Sequence, residues 1–264
     1  MTTGVSSILT KQRAIKLHCL FLLSCLLFMF FHLQAQVLRV AIPDEDSPPY
    51  YYVIDNDLTG FSVETLQSIA AELKIKLEWQ RLPWSRVLNH VETGRADLIP
   101  VFYKTPGRMQ LFDFSDESYV TEPIVLLCTN PCPLQFDGTL ASLGNEPVAT
   151  VRHYSYGTVL DEMALPRVDV VESDPMLFRM LLAKRVRLIM ASANTIAHST
   201  LIKQASSEVV LLQPALDKVD VYFAYSKQPE FSPERRQQIN QALAKFKRGE
   251  QYRKLLSKYQ LQAR

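Results

Sequence analysis

The stretch GFSVETLQSIAAELKIKLEWQ at residues 60–80 decides the fold class, because it changes from a helical to a strand pattern within a few residues. Its first half places apolar residues at spacings of three and four, which predicts a helix with Ser62 as the N-cap. The apolar face of this helix comprises Val63, Leu66, Ile69, Ala70 and Leu73. Ile75–Trp79 then alternates in the manner of a strand.

The segments on either side continue this alternation. Val37–Ile42 is a short apolar run and predicts a strand before the helix. Trp84–Val91 and Asp97–Phe102 predict a second helix and a third strand. The order β-α-β-α-β favours a mainly parallel sheet with helices on both faces, so we expect an α/β fold.

The same pattern restarts in the second half of the chain. The predicted elements are the strand Val148–Val151, the helix Tyr156–Met163, the strand Val168–Val171, the helix Pro175–Ala183, the strand Leu188–Met190, the helix Ala193–Gln204 and the strand Val209–Leu212. Extended runs at Tyr119–Leu127 and Val219–Tyr225 flank this half. Two such crossings predict two α/β lobes joined by paired hinge strands. Near the C-terminus we expect a helix that Ser232 caps and Gly249 interrupts.

These crossings set the predicted domain boundaries. Residues 36–120 form the first part of lobe 1, residues 121–218 form lobe 2, and residues 219–264 return to lobe 1. Residues 1–35 are predicted to be a secretory signal, because a basic segment precedes the apolar run at residues 17–33 and small Ala35 follows it. A retained membrane anchor and a lipoprotein signal at Cys25 are the alternatives.

Charge and composition narrow the functional class. The chain has 264 residues, of which 47% are hydrophobic and 21% charged, which excludes a disordered chain and a coiled coil. Three of its 29 basic residues lie in the signal, against 27 acidic residues in the whole chain. The remainder is therefore nearly neutral and gives no electrostatic reason to expect a nucleic-acid partner.

Only two cysteines remain after the signal, Cys128 and Cys132 in the segment CTNPC. An exported pair this close favours a structural disulfide. A spare thiol pair and a metal or redox role are the alternatives, although two thiols alone are a poor zinc site.

Several motifs give the chain a family resemblance. The most specific is KTPGRMQLFDFSDESY at residues 104–119, where TPGR stands in register with FDFSD. The other motifs are LRVAIPDEDSPPYYY at 38–52, LTGFSVETLQSIAAEL at 58–73, LPWSRVLNHVETGRADLIP at 82–100 and TVRHYSYG at 150–157. Through these motifs the chain resembles the bacterial solute-binding proteins of family 3 over nearly all of residues 37–262. Proteins of that family are periplasmic receptors that commonly deliver amino acids to ABC importers. The resemblance implies the two-lobed periplasmic-binding-protein fold of type II.

The resemblance also implies a ligand site between the lobes. Arg108 corresponds to the arginine that clamps the ligand carboxylate, and its planar fork suits that geometry. Thr105 either caps the following helix or touches the ligand. The other predicted ligand-binding residues are Tyr50, Trp84 and Tyr103 in lobe 1, with Phe102 a weaker candidate, and His153, Tyr154, Ser155 and Ser192 in lobe 2; Arg152 faces the same cleft.

One position departs from the family pattern. Amino-acid binders of this family usually place an aspartate near Ser192, where it pairs with the ligand's amino group. A serine hydroxyl cannot supply that charge. Either Asp46 or another acid compensates, or the ligand is not an ordinary α-amino acid, for example a carboxylate without an amine.

The predicted function is therefore capture of a small, polar, carboxylate-bearing solute by an exported protein, for ABC-type uptake or for sensing. An ABC permease or a membrane sensor is the expected partner, with a monomeric protein and no cofactor or metal. The alternative is a periplasmic dehydratase acting on a cyclic carboxylate, for which His153 and Glu172 are the tentative acid–base candidates.

Overall fold

The computed structural model describes residues 37–162 and 167–263. The predicted signal at residues 1–35 lies outside the described residues. Among those that are described, no helix has both the length and the apolar character needed to cross a membrane.

The first half of the chain alternates strands and helices. Its elements are β1 (Val37–Pro43), β2 (Tyr52–Ile54), β3 (Asp57–Thr59), α1 (Phe61–Leu73), β4 (Lys76–Leu82), α2 (Trp84–Glu92), β5 (Leu98–Tyr103), α3 (Pro106–Leu111) and β6 (Phe112–Phe114). The short β2–β3 hairpin, an antiparallel pair, lies outside the main sheet.

The second half repeats the alternation and then returns. Its elements are β7 (Val120–Thr129), β8 (Val148–Val151), α4 (Thr158–Glu162), β9 (Arg167–Val171), α5 (Asp174–Leu182), β10 (Leu188–Ser192), α6 (Ala193–His198), α7 (Thr200–Gln204), β11 (Val209–Ser226), α8 (Pro233–Arg248) and α9 (Glu250–Lys258). Single 3-10 turns at Leu140–Leu143 and Ser206–Glu208 complete the described elements.

One nine-stranded sheet runs through the molecule in the order β4-β1-β5-β11-β7-β10-β8-β9, with β6 paired to β11. β1 lies parallel to β4 and β5, and β8 lies parallel to β9 and β10. The two central strands, β7 and β11, are antiparallel to their neighbours. The predicted α/β fold of type II is confirmed, with parallel strands in each lobe and two antiparallel strands between them.

The chain passes from one lobe to the other along β7 and β11. The sequence predicts two separate strands at Val209–Leu212 and Val219–Tyr225, and this is wrong, because both belong to the single strand β11. Its pairing with β7 shifts register between Leu212 and Asp217, so the interruption seen in the sequence is a bulge within one strand.

Hydrophobic clusters lie on both sides of this crossing. The first-lobe core includes Leu66, Leu98, Phe223 and Leu243. The second-lobe core includes Val125, Leu177, Phe178 and Ile189. Because Val120 packs in the first core and Val125 in the second, β7 belongs to both lobes. The exact residue boundaries at 120 and 218 stay a prediction.

Gly60, and not Ser62, precedes α1, so the predicted cap is wrong. Gly60 has φ of +125°, and a Cβ there would lie 2.4 Å from the Tyr50 carbonyl oxygen, so only glycine fits. Ser62 is buried inside the helix, where its hydroxyl hydrogen-bonds the Tyr119 hydroxyl at 2.7 Å. The start of α1 is thereby fixed against the loop that carries Tyr50.

Local signals decide two other helix boundaries. The single helix predicted at Ala193–Gln204 is broken at Ser199, whose hydroxyl accepts a hydrogen bond from the Ile202 amide and caps α7. The cap at Ser232 is confirmed, because its hydroxyl accepts from the Arg235 amide at 3.3 Å. The predicted helix Tyr156–Met163 begins later, at Thr158, and Met163 lies outside the described residues.

Cys128 and Cys132 form a disulfide, as predicted, with their Cα atoms 5.8 Å apart. Cys128 is fully buried at the end of β7 and packs in the second lobe. The bond closes the loop that leaves the sheet toward the 3-10 turn at Leu140–Leu143.

Candidate functional site

A pocket of about 670 Å³, including its open mouth, lies where β5, β7 and β10 meet the loops of both lobes. Its lining combines aromatic rings with one cation and two acids. Residues of the first lobe in this lining include Tyr50, Tyr51, Trp84, Phe102, Tyr103 and Arg108, and those contributed by β7 and the second lobe include Glu122, Tyr154, Ser155, Asp174, Ser192 and Thr195.

Arg108 is the cation of this pocket. It lies in α3, and its guanidinium stacks on Phe102, with Cζ 3.9 Å from the ring centroid. Nη1 donates to the Tyr103 carbonyl at 3.2 Å. No carboxylate among the described residues lies within ion-pair distance of it, although burial lowers its pKa from 12.5 to about 10. Among the described residues this protonated guanidinium therefore has no ion-pair partner, although the charge of Asp161 acts on it from a greater distance.

Aromatic side chains form the walls. Trp84 packs edge-on against Tyr154 of the other lobe, with the ring centroids 5.4 Å apart. The Trp84 Nε1 also donates to the carbonyl oxygen of His153 at 3.3 Å. Tyr50 and Tyr51 are both buried and line the pocket, whereas Tyr52 lies outside this lining. Flat walls of this kind exclude water from a bound solute and strengthen charged contacts.

Glu122 is a buried acid that the hydroxyl groups of the pocket surround. The Ser192 hydroxyl donates to its Oε1 at 2.6 Å, the Tyr103 hydroxyl donates to Oε2, and the Tyr50 hydroxyl also hydrogen-bonds this carboxyl group. Burial raises the pKa of Glu122, although these hydrogen bonds oppose the rise. Since β7 carries Glu122, β10 carries Ser192 and β5 carries Tyr103, this carboxyl group hydrogen-bonds residues of both lobes at the floor of the pocket.

Asp174 is the second acid of the lining. It is the first residue of α5 and is 8% exposed. Within residues 37–162 and 167–263, no side chain forms a hydrogen bond or ion pair with its carboxyl group. Burial, together with the nearby charges of Glu122 and Glu45, raises its pKa from 3.8 to about 7.

The two predicted serines of the second lobe are already engaged. Besides donating to Glu122, Ser192 caps α6 by accepting from the Asn194 amide at 3.2 Å. The Ser155 hydroxyl donates to Asp161 and accepts from the Gly157 amide. Each hydroxyl therefore shapes the pocket floor or the turn beside it.

Two predicted site residues lie outside the lining. Thr105 caps α3, where its hydroxyl accepts from the Arg108 amide at 3.4 Å. His153 is exposed and has a left-handed φ of 61°, a conformation that glycine adopts without cost. This backbone geometry directs its carbonyl oxygen toward Trp84, and the imidazole stays in solvent.

Three other residues considered in the sequence analysis, Arg152, Glu172 and Asp46, also lie outside the pocket lining. Arg152 and Glu172 form an ion pair on the surface, where both side chains are about half exposed. Asp46, proposed above as the compensating acid, pairs with Arg81 at 2.8 Å and is absent from the lining. The acids available inside the pocket are therefore Glu122 and Asp174.

Sequence reasoning missed both of these acids. Glu122 stands alone in the apolar run YVTEPIVLL, and that isolation was the available signal for a buried functional carboxyl group. Asp174 follows Ser173 and precedes Pro175, so it reads as an ordinary first-turn acid near the positive end of a helix. Only the packing of α5 against the pocket separates it from a surface residue.

Residues 38–262 match the profile of the bacterial extracellular solute-binding proteins, family 3. The probable amino-acid-binding protein YxeM of Bacillus subtilis (strain 168) is 36% identical over 53 residues, a match that spans 20% of this chain and 20% of that relative.

Solved structures share the fold at low identity. The P235GK mutant of ArgBP from T. maritima superposes with a TM-score of 0.71 at 20% identity, covering 84% of this chain and 94% of that one. An ancestral amino acid-binding protein, AncCDT-1, described as a precursor of cyclohexadienyl dehydratase, gives 0.69 at 22% identity and covers 84% and 95%. Since the family match spans nearly all the described residues, this chain belongs to the bacterial extracellular solute-binding proteins of family 3.

Proposed function

We propose that this protein captures a small, carboxylate-bearing, amino-acid-like solute in the pocket between its lobes. The observation that carries the proposal is Arg108, a desolvated guanidinium that lines the pocket and has no ion-pair partner in the part of the chain that the structure describes. Keeping such a charge buried is costly unless an anion pairs with it. A carboxylate fits the guanidinium fork with two parallel hydrogen bonds.

The aromatic walls support the same conclusion. Tyr51, Trp84 and Tyr154 surround a space suited to a small molecule, and the lining comes from both lobes. A solute that touches both lobes stabilises their closed arrangement, because the closed state has contacts that the open state lacks. Two of the proteins compared above, YxeM and AncCDT-1, are described by name as amino-acid-binding proteins, which agrees with this chemistry.

The test is a thermal-shift screen of the purified protein against amino acids and organic acids. A ligand that binds only the folded state raises the melting temperature. Arg108→Ala should weaken the best hit by about 2 to 5 kcal/mol, the range for truncating one partner of a buried charged pair. Arg253→Ala is the matched control, because Arg253 is exposed on α9. Unchanged affinity in Arg108→Ala would reject the site.

We further propose that the protein is exported, with cleavage after Ala35, and that its solute-loaded form contacts an ABC permease or a membrane sensor as a monomer. The basic and apolar segments at residues 1–33 support export. Amino-terminal sequencing of the periplasmic protein tests the cleavage position. A chain that retains its first residues in the membrane fraction would contradict it.

One observation favours a second candidate, a dehydratase acting on a cyclic carboxylate. Asp174, with its pKa raised to about 7, is suited to protonate a leaving hydroxyl group while Arg108 holds the carboxylate. Incubation with prephenate, followed by detection of an aromatic product, tests this activity. Binding of amino acids without turnover of prephenate would leave solute capture alone.

A further inference from the structure

The pocket contains two ionisable groups of opposite sign, Arg108 and Asp174, that have no ion-pair partner among the described residues. The inference drawn from them rests on the function proposed above. Arg108 and Asp174 both line the pocket, yet they form no ion pair with each other. A solute that carries only a carboxylate would satisfy Arg108 and leave Asp174 without a partner.

Asp174 is unusually placed for an acid at the start of a helix. An acid in the first turn interacts with the helix dipole equally well from the surface, so that role does not require burial. Asp174 is nevertheless 8% exposed. It lines the pocket together with Tyr51, Tyr103 and Tyr154, so its burial lies at the pocket and not elsewhere in the second lobe.

The neighbouring acids are already occupied. Glu122 accepts hydrogen bonds from Ser192, Tyr103 and Tyr50. Glu45 is 39% exposed and lies outside the pocket lining, and its Oε2 accepts from the Ser173 hydroxyl at 2.5 Å and lies 4.0 Å from Arg179. Among the acids that the structure describes around the pocket, Asp174 is therefore the free acceptor.

We propose that Asp174 binds the positively charged amine of the solute, in place of the acid that the family resemblance leads one to expect near Ser192. The ligand is then a zwitterion, with its carboxylate on Arg108 and its amine on Asp174. Ser192 keeps a different task, holding Glu122 by a hydrogen bond. The pocket thus recognises an amino acid through a displaced acidic residue.

This arrangement makes solute binding pH-dependent. The groups that face Asp174 are Glu122, Glu45 and the hydroxyls of Tyr51, Tyr103 and Tyr154, and none of these is a cation. Without solute, Asp174 is protonated in a large fraction of molecules at neutral pH, and an arriving ammonium group displaces that proton. Affinity should therefore fall by about tenfold per pH unit below pH 7.

The experiment is calorimetric titration at pH 8 with the twenty standard L-amino acids. For each one that binds, the carboxylic acid lacking its α-amine is titrated in parallel. The wild-type protein should prefer the amino acid by at least about tenfold, which is the size of one charged hydrogen bond. Asp174→Asn should abolish this preference by weakening the amino acid alone, and it should also remove the pH dependence of binding between pH 5 and 7.

Controls keep the outcomes separable. Asp46→Asn removes an exposed acid that is paired with Arg81, so it should retain the preference. If the Asp174→Asn variant still binds the amine-free acid, the variant is folded. If that variant does not fold, Asp174→Ser is used in its place. An unchanged preference in the Asp174 variant overturns this inference and leaves the proposed function standing. A wild-type protein that binds none of the acids rejects both.

Discussion

Replacing Asp174 by asparagine should stabilise the solute-free protein at alkaline pH, because a nearly isosteric amide removes a buried charge. The folded state raises the pKa of Asp174 from 3.8 to about 7, so the ionised form is disfavoured on folding. At pH 8 the side chain is charged in both the folded and the unfolded states. The difference between the two pKa values then corresponds to about 4 kcal/mol of lost stability.

The sign of the pH dependence follows from the same shift. A raised carboxyl pKa leaves stability intact below the unfolded value near 4 and lowers it as pH rises toward about 7. At pH 5 the cost is below about 2 kcal/mol, since the folded state then keeps the proton. The free energy of unfolding of the wild-type protein, relative to Asp174→Asn, should therefore fall by about 2 to 3 kcal/mol between pH 5 and pH 8.

Urea unfolding at the two pH values measures this difference, with far-ultraviolet circular dichroism and tryptophan fluorescence recorded together to check that the transitions coincide. Asp46→Asn is the control, because that acid is 45% exposed and paired with Arg81. Its stability should show the wild-type pH dependence. Identical pH dependence in the wild-type and Asp174→Asn proteins, or lower stability of Asp174→Asn at pH 8, would refute the reasoning.

Three further predictions concern the framework around the pocket. Gly60→Ala should lower the free energy of unfolding by about 3 kcal/mol, because the new Cβ would collide with the Tyr50 carbonyl and φ is positive at this position. Denaturant unfolding measures the loss. A loss below about 1 kcal/mol would contradict the close approach of the two segments. The double variant Cys128→Ser, Cys132→Ser should have a free energy of unfolding lower by about 2 kcal/mol, because the unfolded chain is no longer constrained by this short closed loop. If unfolding of the wild-type protein is insensitive to reductant, the bond is absent. Ser232→Ala should cost about 1 kcal/mol through loss of the cap on α8, whereas Ser257→Ala, at an exposed position, should be neutral; equal effects of the two would remove the cap's role.

Much of the fold could be predicted because its elements depend on local periodicity. The apolar face of α1 and the cap of α8 each depend on residues close together in the sequence, and both helices form where the sequence predicts them. The start of α1 could not be predicted, since it depends on the approach of Gly60 to Tyr50 from another loop. The continuity of β11 likewise depends on its pairing with β7, which local sequence does not record.

The site residues also differ in whether the sequence alone could predict them. Arg108, Trp84 and Tyr154 carry motif signals, and the structure brings them to one pocket. Asp174 carries no such signal, because a helix-starting acid has the same sequence pattern at the surface and in a pocket. His153 shows the converse case, because its place in the family motif predicts a ligand contact that the structure does not have. Its backbone is left-handed and its side chain is exposed to solvent.

The most direct test of the account is a crystal structure of the protein with the amino acid that the titrations select. We predict the solute carboxylate within about 3 Å of the Arg108 guanidinium nitrogens, as a paired charged hydrogen bond requires. The solute amine should lie at a similar distance from Asp174. A solute bound elsewhere, or one held in this pocket with its carboxylate away from Arg108, would contradict the account.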